Sequence, residues 1–201
     1  MRRIGITSEK GGVGKSTLAF GLAGALSESG ERVVLVDEDV RVASCLGWAS
    51  LGPVAFDVVG PDGAEAALQT PADFLVVDSE GRPGLNDLRE MATAFDVLLI
   101  PTGTSRLEVA STLRLWEQLR EAGSVESVRV VVTRAAPVGR VGQDARDALR
   151  EAGVTMCETV IRRLTAHERA AEAGGLVRDV RDPRAGEAWA EITQLAQEVQ
   201  G

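Results

Sequence analysis

Short uninterrupted apolar runs alternate along this chain with longer stretches of helical period. Val33-Val34-Leu35-Val36 ends in Asp37, Phe74-Leu75-Val76-Val77 ends in Asp78, and Val97-Leu98-Leu99-Ile100 stops at Pro101. Apolar runs of this length, bounded by polar residues, predict strands buried on both faces, as in parallel sheets. Arg3 to Thr7 and Val128 to Thr133 join this set, and Ala55 to Val59 and Thr155 to Ile161 are weaker strand candidates. The intervening periodicity predicts helices over Lys15 to Ser29 (closed by Gly30 at a C-cap), Arg41 to Trp48, Asp62 to Leu68 and Leu85 to Thr93. Further helices are expected over Leu107 to Glu121, Val141 to Ala152, Ala166 to Ala173 and Gly186 to Val199. Strands alternating with helices imply an α/β fold: a twisted, mostly parallel sheet with helices on both faces. No internal repeat, low-complexity block or linker divides the chain, so residues 1–201 are expected to form a single domain.

Composition narrows the class. With 44% hydrophobic residues, 201 residues suffice for one sizeable core. No apolar run approaches the roughly 18 residues of a membrane-spanning helix. The start, Met1-Arg2-Arg3-Ile4-Gly5-Ile6-Thr7, lacks the apolar stretch of a signal peptide. Cys45 and Cys157 form neither a disulfide framework nor a metal spacing, which points to a reducing cytoplasm and to buried small apolar roles. A net charge of −8 argues against a general polyanion binder, so any DNA contact requires a local arginine patch. Aromatic residues make up only 3%, which disfavours base-stacking platforms.

The chemistry concentrates in Ser8-Glu9-Lys10-Gly11-Gly12-Val13-Gly14-Lys15-Ser16-Thr17, between the first strand and the first helix. Strand, glycine loop and helix form the setting of a phosphate-binding loop. Glycines let the backbone curl around an anion, and the helix N-terminus points its free N–H groups and positive dipole end at it. Lys15 supplies an ammonium for the β- and γ-phosphates, and the Ser16 hydroxyl is a Mg²⁺ ligand. The usual pattern has glycine where Glu9 stands. Lys10 and Lys15 are the only lysines among 22 basic residues, so this loop alone calls for a compact ammonium.

In a parallel α/β sheet, ligands bind beyond the carboxyl ends of the strands. Asp37, Asp39 and Asp78 lie there beside the loop. A carboxylate ending an apolar strand supports Mg²⁺ or one of its waters; its bland counterpart is a strand-end turn residue. Asp37 and Asp39, two apart on an extended backbone, point alike: one assists the metal and the other orients the attacking water, unless both merely decorate a charged loop. His167, the only histidine, reads as a helix-surface residue. Trp48, Trp116 and Trp189 read as packing residues.

Lys10-Gly11-Gly12-Val13-Gly14-Lys15-Ser16-Thr17 resembles the deviant phosphate loop of the ParA/MinD class of P-loop ATPases, whose signature is the extra lysine. Val34-Leu35-Val36-Asp37-Glu38-Asp39 and Leu75-Val76-Val77-Asp78 are similar to the family's second and metal-supporting motifs. Leu99-Ile100-Pro101-Thr102 and Val131-Val132-Thr133-Arg134 resemble its later strand ends. The length is nearest to that of the short, ParF-like plasmid-partition ATPases, with no DNA-binding domain ahead of the loop. The resemblance implies the P-loop NTPase fold and an ATPase switch that dimerises around Mg-ATP. By position, Lys10 acts in trans on the partner's nucleotide, Lys15 holds the phosphates, Ser16 holds Mg²⁺ and Thr17 cradles the α-phosphate. Asp39 positions the water and Asp78 supports the metal, while Thr133 and Arg134 stand where the family contacts adenine. The sequence departs from the family at Val40-Arg41, where Pro-Gln is usual, and at Ser79-Glu80-Gly81-Arg82-Pro83.

The resemblance further implies a DNA partition role in plasmid or chromosome segregation. The dimer would coat non-specific DNA, on the nucleoid when ATP-bound, and answer to a centromere-binding adaptor. Arg162, Arg163 and Arg169 are the candidate DNA patch, or else arginines that balance an acidic surface. Three other readings compete. A MinD-like membrane switch needs a basic amphipathic terminal helix, whereas Gly186 to Gly201 holds no Lys or Arg, so no membrane partner is expected. The others are a metabolic P-loop ligase and a nucleotide-dependent scaffold that scarcely hydrolyses ATP.

Overall fold

The computed structural model describes all residues 1–201. Its elements run β1 (Arg2–Ile6), α1 (Lys15–Ser27), β2 (Val33–Asp37), α2 (Ser44–Ala49), β3 (Asp57–Val59), α3 (Pro61–Ala67), β4 (Phe74–Asp78) and α4 (Leu85–Ala94). They continue with β5 (Val97–Thr102), α5 (Arg106–Glu121), β6 (Val128–Ala135), α6 (Val141–Glu151), β7 (Met156–Arg162), α7 (Thr165–Ala173), a 3-10 turn at Val177–Asp179 and α8 (Ala185–Gln200). The seven strands form one sheet in the order β3-β2-β4-β1-β5-β6-β7, and every neighbouring pair is parallel. The expected α/β architecture is therefore present, and all seven predicted strands are in it.

The register does the positioning. Ile6 pairs with Asp78, and Asp78 pairs with Asp37, so the last residues of β1, β4 and β2 lie level at one edge of the sheet. The glycine loop leaves β1 at that edge. The chain also reverses direction across the sheet here: β2, β3 and β4 lie on one side of β1, and β5, β6 and β7 on the other. Such a switch point opens a crevice above the strand ends.

Each sheet face has its own core. The larger, built on Ile4, Ile6, Leu35, Leu99 and Val131, is covered by the apolar sides of α1, α7 and α8. Leu98, Ile100, Val128 and Val130 face the other way, against Leu88, Leu115, Trp116, Leu119 and Leu149 from α4, α5 and α6. Two-sided burial explains why the strands read as unbroken apolar runs. Trp48 stacks on Phe20, with centroids 4.3 Å apart, and donates its indole N–H to the Gly175 carbonyl, so it packs as expected.

Several boundaries shift by a few residues from the sequence reading, and two of the shifts have a clear local cause. α2 starts at Ser44 rather than Arg41, because the Asp39 carbonyl accepts from Val42 and Ala43 N–H and Ala43 adopts a left-handed φ of 49°. β5 runs through Pro101 to Thr102. Its pairing with β1 ends at Leu99, so beyond that point only β6 is its neighbour, and a proline is tolerated there.

β7 is an edge strand, and α8 caps it with carboxylates. Glu198 accepts from the Glu158 and Thr159 N–H groups, and Glu191 accepts from Arg162 N–H. Unpaired edge N–H groups invite strand addition, and these glutamates occupy them. The opposite face of α8 enters the core through Ala188, Ile192, Leu195 and Val199.

Candidate functional site

The loop between β1 and α1 wraps the N-terminus of α1. Gly12 and Gly14 adopt φ values of +72° and +92°, where a side chain would be strained; Gly11 does not need that freedom. Gly14 caps α1 without a side chain, and no acidic residue sits in the first helical turn. The Lys15, Ser16 and Thr17 N–H groups are thus left for an anion, with the positive end of the helix dipole behind them.

Lys15 is largely enclosed. Its Nζ stands 3.8 Å from Asp78 Oδ1. Asp78 is 1% exposed, and Oδ1 has no hydrogen-bond donor. Burial pushes the Asp78 carboxyl above the usual carboxylate range, opposed by the Ser16 hydroxyl and the Lys15 ammonium. A buried carboxylate oxygen without a donor, beside a serine hydroxyl at a phosphate loop, fits Mg²⁺ or one of its waters. No group of three His, Cys, Asp or Glu side chains is placed to cage a metal. This suits an ion that takes few protein ligands and completes its shell with water and phosphate oxygens.

Asp37 differs from the expectation of a free metal ligand. Its Oδ2 accepts from the Cys45 and Leu46 N–H groups, at 2.8 and 3.2 Å, and its Oδ1 accepts from Asp39 N–H. The carboxylate therefore anchors the N-terminus of α2 and the loop before it. Asp39 lines the phosphate pocket, a cavity of about 630 Å³ shared with Gly11 to Thr17. Its Oδ1 accepts from Val42 N–H, which fixes the side chain at the pocket rim.

Sequence reasoning missed Cys45 here. The expected small core residue is indeed fully buried, but its thiol also lies 3.5 Å from Asp78 Oδ2. Burial and the neighbouring Asp78 and Asp37 push that thiol well above its ordinary pKa, so it stays protonated and donates to Asp78. No spacing rule links residues 45 and 78; only the packing of α2 on the strand ends joins them.

Thr133 and Arg134 also depart from expectation. The Thr133 hydroxyl is buried and donates to the Val13 carbonyl at 2.8 Å. Arg134, held at a left-handed φ of 53°, donates from Nη1 to the Gly12 carbonyl at 2.6 Å. Both side chains therefore clamp the loop rather than point freely at a base. They still line a second pocket of about 300 Å³, on the side of the loop away from Asp39. His167 lines this pocket too. It is not a surface histidine: its Nε2 is shielded and unpartnered, and burial holds its imidazole below the usual histidine pKa.

Lys10 is exposed, and its own N–H donates to Ser8 Oγ. It stands in neither pocket but in a narrow crevice with Glu9 and Glu108. Each candidate DNA arginine has an acidic neighbour. Arg162 pairs with Glu187 and Glu191, Arg163 with Glu168 at 3.7 Å, and Arg169 with Asp182 at 3.0 Å. They form separate ion pairs rather than an open basic patch.

Comparison with known proteins shows the family and the fold. The family described as the CobQ/CobB/MinD/ParA nucleotide binding domain matches residues 4–177. The maintenance of carboxysome distribution protein A of Gloeobacter kilaueensis is 34% identical over 98% of this chain and 94% of its own length. Among solved structures, the septum site-determining protein MinD of Pyrococcus horikoshii, complexed with Mg-ADP, superposes with a TM-score of 0.76 at 19% identity. That match covers 98% of this chain and 95% of MinD. Apo McdA from Cyanothece covers the whole of both chains with a TM-score of 0.71, also at 19% identity.

Proposed function

The chain belongs to the CobQ/CobB/MinD/ParA nucleotide-binding family, and we propose that it is an ATPase that positions a cargo by cycling between an ATP-bound dimer and a free subunit. The observation that carries this reading is the Lys15–Asp78 pair beneath a loop whose helix N-terminus is uncapped. Mg²⁺, held by Ser16 with Asp78 behind it, would neutralise developing phosphate charge. Lys15 and the N–H groups of α1 bind the phosphates, Thr17 extends that cradle, and Asp39 orients the attacking water from the pocket rim. The nucleoside occupies the pocket beside Thr133 and Arg134, with His167 on its wall.

A protein-body cargo is favoured over a plasmid, because the relative aligned along nearly the whole chain is named for carboxysome distribution. Non-specific DNA is the track for such a switch, read by the dimer, and an adaptor on the cargo stimulates hydrolysis. No helix of this chain is long and apolar enough to cross a membrane, and α8 spends its apolar face on the core. The test is ATP turnover with Mg²⁺, with and without duplex DNA, together with light scattering. Slow turnover and an ATP-dependent doubling of mass are expected. Undetectable turnover in both conditions would instead favour the scaffold reading.

A second experiment isolates Asp78. Its folded carboxyl titrates above the unfolded value, so at neutral pH the charged form opposes folding, and the penalty fades as pH falls towards 4. Asp78→Asn removes that penalty. The nucleotide-free variant should melt about 2–4 °C higher for each ~1 kcal/mol recovered, while Mg²⁺ no longer strengthens ATP binding. A variant that melts lower and keeps its Mg²⁺ response would contradict both roles.

A further inference from the structure

Two loops line the rim of the phosphate pocket, and one side-chain pair joins them. The loop after β2 carries Arg41, the loop after β4 carries Glu80, and the two side chains form an ion pair. Both residues line the pocket together with Lys15, Ser16 and Asp39.

The backbones behind this pair are fixed. Asp37 and Asp39 tie down the first loop through the N–H groups of Asp39, Val42, Cys45 and Leu46. The second is tied to the phosphate loop: Arg82 N–H donates to the Ser8 carbonyl at 2.8 Å, and Arg82 holds a left-handed φ of 69°. A side chain added at Gly81 would meet Lys15 Nζ at 3.8 Å, so this turn lies directly on the lysine. The loop backbones are thus anchored, while the Arg41 and Glu80 side chains remain exposed and free to change partners.

We propose that Arg41 is a γ-phosphate sensor held in reserve by Glu80, and that this exchange sets the preference of the site for triphosphate over diphosphate. Without nucleotide, Glu80 satisfies the guanidinium at the pocket rim. A terminal phosphoryl group offers two oxygens to the planar guanidinium fork and carries more charge than a carboxylate, so arginine can bind it bidentately. An exposed ion pair contributes little to stability, so it yields readily to such a competitor. A diphosphate lacks that terminal group and leaves the pair intact. Glu80, released, stands as a negative charge at the mouth, where it weakens triphosphate binding and hastens its loss.

This inference rests on the reading of the pocket as a nucleotide site, and the experiment separates the two. Binding of Mg-ATPγS and Mg-ADP is measured by titration calorimetry for the wild type, Arg41→Ala, Arg41→Lys and Glu80→Gln. Arg41→Ala should weaken ATPγS binding roughly tenfold, as expected for loss of a charged hydrogen-bonded contact, and leave ADP unchanged. Arg41→Lys restores part of the loss, since it keeps the charge but not the fork. Glu80→Gln should tighten ATPγS several-fold with little effect on ADP. Melting temperatures should stay within a degree or two, because the pair is exposed. Equal losses for both nucleotides, or no change in their ratio, would overturn the sensor while leaving the nucleotide site standing. A wild type that binds neither nucleotide would remove both.

Discussion

Lys15→Ala loses Mg-ATP and Mg-ADP affinity by about a hundredfold or more, because it deletes the one ammonium enclosed within the phosphate pocket. Its Nζ lies 3.8 Å from the buried Asp78 carboxylate and within reach of the space bounded by Gly11 to Thr17. Each charged hydrogen bond lost to a phosphate is worth about 1.5–3 kcal/mol, and the lysine has donors for more than one. The substitution also strips Asp78 of its cation, so a carboxyl already raised by burial moves higher still. Calorimetric titration with ADP, backed by a thermal melt to exclude misfolding, reads the effect. Unchanged ADP affinity in a folded variant would remove the phosphate assignment of the entire loop.

Lys10→Ala should separate binding from turnover. Lys10 sits two residues before Gly12, yet its side chain does not line the phosphate pocket of its own subunit. It is exposed beside Glu9 and Glu108, with no ion pair within 4.0 Å. An ammonium in that place can serve a nucleotide bound by a second copy of the chain. Nucleotide affinity of the free subunit should therefore hold within about twofold of wild type, since the pocket keeps all its own donors. Turnover should fall by roughly a thousandfold, as when a trans-acting cation is withheld from phosphoryl transfer. ATP-dependent doubling of mass should also weaken. Full turnover in this variant would show that one subunit completes its own site.

These two lysines mark the boundary between what is local and what is long-range. The strand and helix pattern was readable because periodicity is a property of neighbours in sequence: Val33 to Val36 are buried, Phe74 and Leu75 are half-buried and Val76 and Val77 are buried, so these runs carry no polar alternation. The glycine loop was readable for a similar reason. Its backbone angles at Gly12 and Gly14, and the helix N-terminus behind them, are fixed within a few residues. Asp78 was legible as a strand-end acid because it closes an apolar run at the edge where the loop leaves β1.

The remaining assignments depended on partners far away in sequence. Asp37 and Asp78 look alike as strand-end acids, but α2 folds back so that its N–H groups consume Asp37, while Asp78 keeps a free oxygen. Thr133 and Arg134 stand at the right strand end, yet the adjacency of β6 to the loop turns them onto its carbonyls. Arg162 looked available until α8 brought Glu187 and Glu191 against it. His167 is half-buried on the wall of the pocket that α7 shares with the loop, a position its neighbours in the chain do not reveal. The sequence by itself determined the elements and the glycine loop between β1 and α1, because both are set by neighbours along the chain. The tertiary structure alone decided which carboxylates stay free, which acids stand beside each arginine, and that Arg41 meets Glu80 at the pocket, because strand order and register choose those partners.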